Sequence, residues 1–153
     1  MLVPFIAFLI GITSGFRALT GLAIVSWAAR LGVLPLTNTW LAFLGFAFTP
    51  YILSLMALGE LVNDKLPKTP SRLIPSQFIT RVVMGTICGV ALGLSTDHLL
   101  AGLLAGALGS VVGTFGGSKA RAFGATLFGR DLPAALIEDV AAIGLAVFAC
   151  SRL

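Results

Sequence analysis

The sequence predicts an all-α fold, a polytopic bundle of transmembrane helices with about five spans. Three observations lead there. Of the 153 residues, 58% are hydrophobic and only 10% charged, whereas a soluble domain is nearer half apolar and one quarter charged. The apolar residues form continuous runs of about 20, the length that crosses a bilayer as a helix. The runs do not alternate between polar and apolar as the strands of a membrane barrel must.

The first run extends from about Leu2 to Ala29 and contains Arg17. No Lys or Arg precedes its apolar part and the apolar character continues past Arg17, so it reads as a membrane helix and not as a cleaved leader. The second runs from about Trp40 to Leu66 with Pro50 inside it. The third covers Gln77 to Leu94, the fourth Leu99 to Phe128 and the fifth Leu132 to Cys150. The first, second and fourth exceed a simple span, so they must tilt, kink or break. Gly11 to Gly15, Thr49-Pro50 and Gly113 to Gly117 supply the means. Gly85, Gly89 and Gly93, then Gly102, Gly106 and Ser110, then Gly109, Gly113 and Gly117 repeat every four residues. Small residues at that spacing let helix backbones approach closely.

With five spans, Lys65, Lys68, Arg72 and Arg130 fall on one side, and Arg30, Asp97, His98 and Arg152 on the other. The positive-inside rule makes the first side cytoplasmic, which puts the N-terminus inside and the C-terminus outside. A re-entrant pair within one long segment would break this parity. The formal net charge of +4 is read as this loop bias, with the basic segment around three prolines suiting anionic lipid headgroups. No basic patch interleaved with aromatics points to nucleic acid. Cys88 and Cys150 lie inside apolar runs and read as small buried residues. His98 stands alone, no phosphate-binding glycine loop is present, and no cofactor is expected.

Two short patterns recur. Gly11 to Ala18 and Gly113 to Ala120 both read G-x-x-x-G-x-(basic)-A, with Arg17 and Lys119 as the cations. Pro50 precedes Ala57-Leu-Gly-Glu60, and Pro133 precedes Ala135-Leu-Ile-Glu138. The reading is one membrane domain, 1–153, with candidate repeat halves 1–75 and 76–153. Two helices, a linker helix and two more would make the repeat an inverted one, as in transporters whose sites lie at the repeat interface.

An isolated charge in the membrane costs several kcal/mol, about 2.5–3.5 on insertion scales, so Arg17 needs a partner or a wet cavity. The candidates are Glu60, Asp64, Glu138 and Asp139. Glu60 and Asp64 are at i and i+4 and share a helix face. Glu138 and Asp139 begin the last span on the same side, and Arg81, Lys119 and Arg121 also lie toward it. The expected site is therefore Arg17, Glu60, Asp64, Arg81, Lys119, Glu138 and Asp139. Paired carboxylates beside cations suit passage of a proton, ion or small anionic solute. The same residues also suit a salt-bridge network that only sets helix register. A third reading is a membrane enzyme in which Glu60 and Asp64 hold a metal against a lipid phosphate clamped by Arg72 or Arg81. The chain is short enough that a homo-oligomer is the candidate assembly.

Gly15-Phe-Arg17-Ala18, Glu60-Leu-Val-Asn-Asp64-Lys65-Leu-Pro67, Arg81-x-x-x-Gly85 and Lys119 with Arg121 resemble a family of small bacterial inner-membrane proteins catalogued only as a domain of unknown function. The resemblance implies a helical protein of the inner membrane and supplies no activity. In that family a second acidic residue commonly follows D-K-x-P. Here the segment is Lys68-Thr-Pro-Ser-Arg72, which speaks against cation binding by the loop.

Overall fold

The computed structural model describes residues 2–65 and 73–152. It contains six α-helices: α1 (Leu2–Phe16), α2 (Ala18–Arg30), α3 (Thr49–Asn63), α4 (Pro75–Leu94), α5 (Leu99–Phe128) and α6 (Asp131–Cys150), with a short 3-10 helix at Ala42–Gly45. No strand occurs among the described residues. The last three helices are long and apolar enough to cross a membrane, and they match the third, fourth and fifth predicted runs closely.

The first predicted span is two helices. The chain breaks at Arg17, whose backbone is extended at φ −140° and ψ 110°, and it turns back so that Gly21 sits against Ile10 and Ser14. At 1.5 Å per residue, α1 is about 22 Å long and α2 about 20 Å, both short of the roughly 30 Å apolar core. The pair is a helical hairpin with Arg17 at its tip. The second predicted span is also shorter than expected. Pro50 occupies the first turn of α3, where its missing N–H costs nothing and its ring cannot clash with a preceding turn. Trp40 to Phe48 therefore stay outside the helix, and α3 is about 22 Å long.

Glycines set the helix packing. Gly109 lies against Phe8, and Gly113 against Ile12, so α1 and α5 run parallel. Gly85 meets Gly106 and Ser110, and Gly89 meets Gly102, so α4 and α5 run antiparallel. At Gly89, Gly102, Gly106, Gly109 and Gly113 an added methyl would overlap the backbone of the facing helix. The three helices thus pack backbone to backbone, as the four-residue spacing predicts. Gly124 on α5 sits beside Ala134 on α6, and α6 returns antiparallel to α5. The core collects Ile6, Ile10, Leu22, Val25, Leu92 and Cys150, among others, toward the end that carries Leu2.

This arrangement differs from the sequence expectation in two respects. Leu2 and Cys150 lie at the same end of the bundle, because α1 is parallel and α6 antiparallel to α5. Five single crossings would separate the termini, and the folding of the first segment into two helices brings them to one end. The two G-x-x-x-G-x-(basic)-A segments also do not stand in an inverted relation. They run side by side in one direction, and Gly113 to Ala120 is unbroken helix where its counterpart breaks.

Candidate functional site

Breaking a helix in a lipid environment strands carbonyls at one new end and amides at the other, and each must find a partner. Charged side chains from other helices supply them. The Arg81 Nη1 donates to the Phe16 carbonyl at 2.6 Å and to the Gly15 carbonyl at 3.2 Å. The backbone N–H groups of Ala18 and Leu19 each donate to one oxygen of Glu60, both at 2.8 Å. A cation thus closes the negative end of α1 and a carboxylate closes the positive end of α2, the signs that the helix dipoles favour.

Arg17 projects from the break into a shell of acids and is fully buried. Its Nε donates to Asp139 Oδ1 at 2.8 Å, and its Nη2 lies 2.5 Å from the same oxygen. Its Nη1 pairs with Asp64, and Glu138 Oε2 is 4.0 Å from Nη2. The side chains of Asp64, Glu138 and Asp139 are only 12%, 8% and 9% exposed. Arg81 Nη2 adds contacts of 3.8 Å to both Glu60 and Asp64. Burying these ions separately would cost several kcal/mol each; together, with hydrogen bonds to most donors, the cost is largely offset.

Lys65 and Arg121 extend the cluster. Lys65 Nζ is 2.7 Å from Asp139 Oδ2. Arg121 donates to both oxygens of Asp131 at 2.8 and 2.5 Å and to the Asp64 carbonyl at 3.1 Å, and its Nη1 is 3.7 Å from Glu138. Five of the six acidic residues in the chain are gathered here, Asp97 being the exception. The cluster draws on α3, α4, α5, α6 and the hairpin tip. Arg81 is about 9 Å along α4 from its start, and Glu138 about 10 Å along α6, so the charges lie inside the bundle, toward the end that carries Lys65 and Arg130.

Of the seven residues expected from sequence, Arg17, Glu60, Asp64, Arg81, Glu138 and Asp139 come together. Lys119 does not. It is exposed and makes no ion pair among the described residues. The reason is helical geometry: Lys119 and Arg121 are two positions apart, about 200° around the helix, so when Arg121 faces inward Lys119 faces out. The two carboxylates considered for a metal make other contacts here: Glu60 accepts from two amides and Asp64 pairs with Arg17. No group of three or more metal-ligating side chains occurs among the described residues. Arg72 lies outside the described residues.

A family model described as Domain of unknown function (DUF4126) matches residues 5–151. The chain belongs to that family. No curated protein and no solved structure matches it. The DUF4126 match spans the hairpin, the capping helices and both acidic pairs, so the whole cluster lies within the family domain. Lys65, Arg121 and Asp131 join the cluster from outside the seven expected residues, although the sequence places Arg121 toward the same side. The signal for Arg121 was Asp131, ten residues on and across a tight turn at Gly129, whose φ of +65° places it in the left-handed region.

Proposed function

We propose that the protein passes a proton or another small ion through the buried charge cluster at the broken helix. The observation that carries this reading is Arg17, wholly enclosed at a chain break and ringed by Asp64, Asp139 and Glu138. Broken helices with charged groups at their ends are where membrane transporters hold their ions, and ionisable groups within a membrane bundle mark ion and proton paths. The cluster is closely packed, which favours a proton or a bare monovalent ion over a larger solute. In this mechanism, protonation of one carboxylate loosens its hold on Arg17, and the neighbouring acid on α6 takes over the contact. Glu138 and Asp139 are adjacent on α6 and both approach Arg17, so the guanidinium can exchange one carboxylate for the other.

The cluster end carries Lys65 and Arg130, and the segment joining α3 to α4 carries Lys68 and Arg72. The positive-inside rule puts this end in the cytoplasm. Both termini then lie on the opposite face, which reverses the side expected for the N-terminus under five spans. The inner membrane is the proposed location.

A second reading has its own support. Glu60 and Arg81 close the two ends of the break, which is the task of a scaffold, and a purely structural protein would need the same caps. Flux separates the two. Purified protein in liposomes holding a pH dye is challenged with proton, sodium, potassium and chloride gradients in turn. Passage predicts flux of at least one ion above protein-free vesicles. Absence of flux for all four, from protein that remains folded, leaves the scaffold.

A further inference from the structure

We infer that the stretch from Trp40 to Tyr51 seats in the lipid headgroup region on the face that carries both termini. Positions 31–59 hold no charged residue, yet positions 31–48 form no α-helix. Trp40, Phe46, Phe48 and Tyr51 are 68%, 62%, 76% and 61% exposed, an aromatic patch that water would leave uncovered. The segment is nonetheless held in place. Leu34, Leu36, Leu41 and Leu44 are buried in the core beside Ile6, Val25 and Cys150. The Ser26 hydroxyl donates to the Leu44 carbonyl, and the Trp27 ring meets Tyr51 edge-on at 5.0 Å. The leucines turn inward and the aromatics outward, so the exposure is built into the fold.

Composition and backbone together select the occupant. Irregular backbone cannot face lipid within the hydrocarbon, because amides and carbonyls outside a helix lose their partners there. An uncharged aromatic surface is equally unsuited to bulk water. The headgroup region suits both, and Trp and Tyr concentrate there because each ring has an apolar body and a hydrogen-bonding tip. The neighbours fit this level. Thr37 and Asn38 are exposed just before Trp40, and Arg30 is exposed at the end of α2, where a guanidinium can meet lipid phosphate. Beyond Tyr51, the exposed Ile52, Leu55 and Leu58 on α3 continue the surface into the hydrocarbon. Glu60 is about 16 Å along α3 from Thr49, so an anchor at this level sets the charge cluster near the middle of a roughly 30 Å core.

The anchor does not rest on ion passage, since a protein that conducts nothing still needs a fixed depth. Trp27→Phe leaves Trp40 as the single tryptophan. This variant is reconstituted in phosphatidylcholine vesicles whose chains carry bromine either close to the headgroup or close to the chain end. Iodide, present on both sides of unbrominated vesicles, is the aqueous quencher. Trp40 fluorescence should be quenched at least twofold more by the shallow bromines than by the deep ones, and at least twofold less by iodide than free tryptophan is. Phe48→Trp, made in protein lacking both native tryptophans, should give the same order. Where Trp27→Phe does not fold, the difference between the unaltered protein and Trp40→Phe reads the same signal. Stronger quenching by the deep bromines would place the segment in hydrocarbon, and iodide quenching equal to that of free tryptophan would place it in water. Insensitivity to all three quenchers would mean that a second copy or another protein covers it. Each of these outcomes overturns the proposal.

Discussion

Arg17 has a different task from the other cations in the cluster. Arg81 hydrogen-bonds backbone carbonyls, and Lys65 and Arg121 reach the cluster from partly exposed positions. Arg17, fully buried, gives its hydrogen bonds to the carboxylates of Asp139 and Asp64. Removing one partner of such a set leaves uncompensated charge in a low-dielectric interior. Arg17→Gln should cost about 3–5 kcal/mol, read as loss of thermal stability in detergent or of folded yield; an unchanged melting profile would contradict the burial. Glu60 predicts a more local effect. Glu60→Ala strips the acceptor from two buried amides and should cost about 1–3 kcal/mol. Hydrogen exchange at Ala18 and Leu19 should rise with it, while the middle of α5 stays protected. The residue types of this site were legible because charge in an apolar run is conspicuous. Their division of labour was not. The caps of the break come from Glu60 and Arg81, 42 and 65 positions away from the groups they satisfy, and nothing near Arg17 in sequence announces them.

Among the helices, the glycine spacing was informative and the hydropathy of the first segment misleading. Averaged over a window, one Arg among some ten apolar neighbours on each side barely lowers hydropathy, so α1 and α2 read as a single span. What breaks the helix is a tertiary environment in which both new ends are satisfied. Pro50 misled for a related reason: inside an apolar run it reads as a kink, but it starts α3. By contrast, α4, α5 and α6 were legible almost to their ends, because Pro75 and Gly129 are local stop and start signals. The glycines give a contrast between sites of the same residue type. Gly109→Ala would drive a methyl into the Phe8 carbonyl, where the neighbour is backbone, and should cost at least 1–3 kcal/mol as overpacking. Gly116→Ala, on the same helix but with nothing within 4 Å, should be neutral or stabilising by up to about 1 kcal/mol. Unfolding of the two variants side by side checks this; equal losses would contradict the packing assigned to α1 and α5.

For the molecule as a whole, the hairpin changes the count of crossings and with it the topology. The charge asymmetry of the loops could be read from sequence, but assigning the termini required the number of crossings, and that number depended on a break with no local signature. Reporters fused to the two termini should give the same compartment, and a tag inserted at Arg130 the other. Termini that report opposite compartments would restore the five-span arrangement and remove the hairpin.

The proposed role of the acids around Arg17 is to carry an ion as well as hold a fold. It is tested most directly by measuring ion flux into liposomes for Asp139→Asn beside the unaltered protein, with both first shown to be folded and monodisperse. Asn keeps the size of the side chain and an acceptor for Arg17 but cannot take part in proton exchange as a carboxylate does. Flux should fall at least tenfold while the fold survives. Equal flux from the two folded proteins would contradict it.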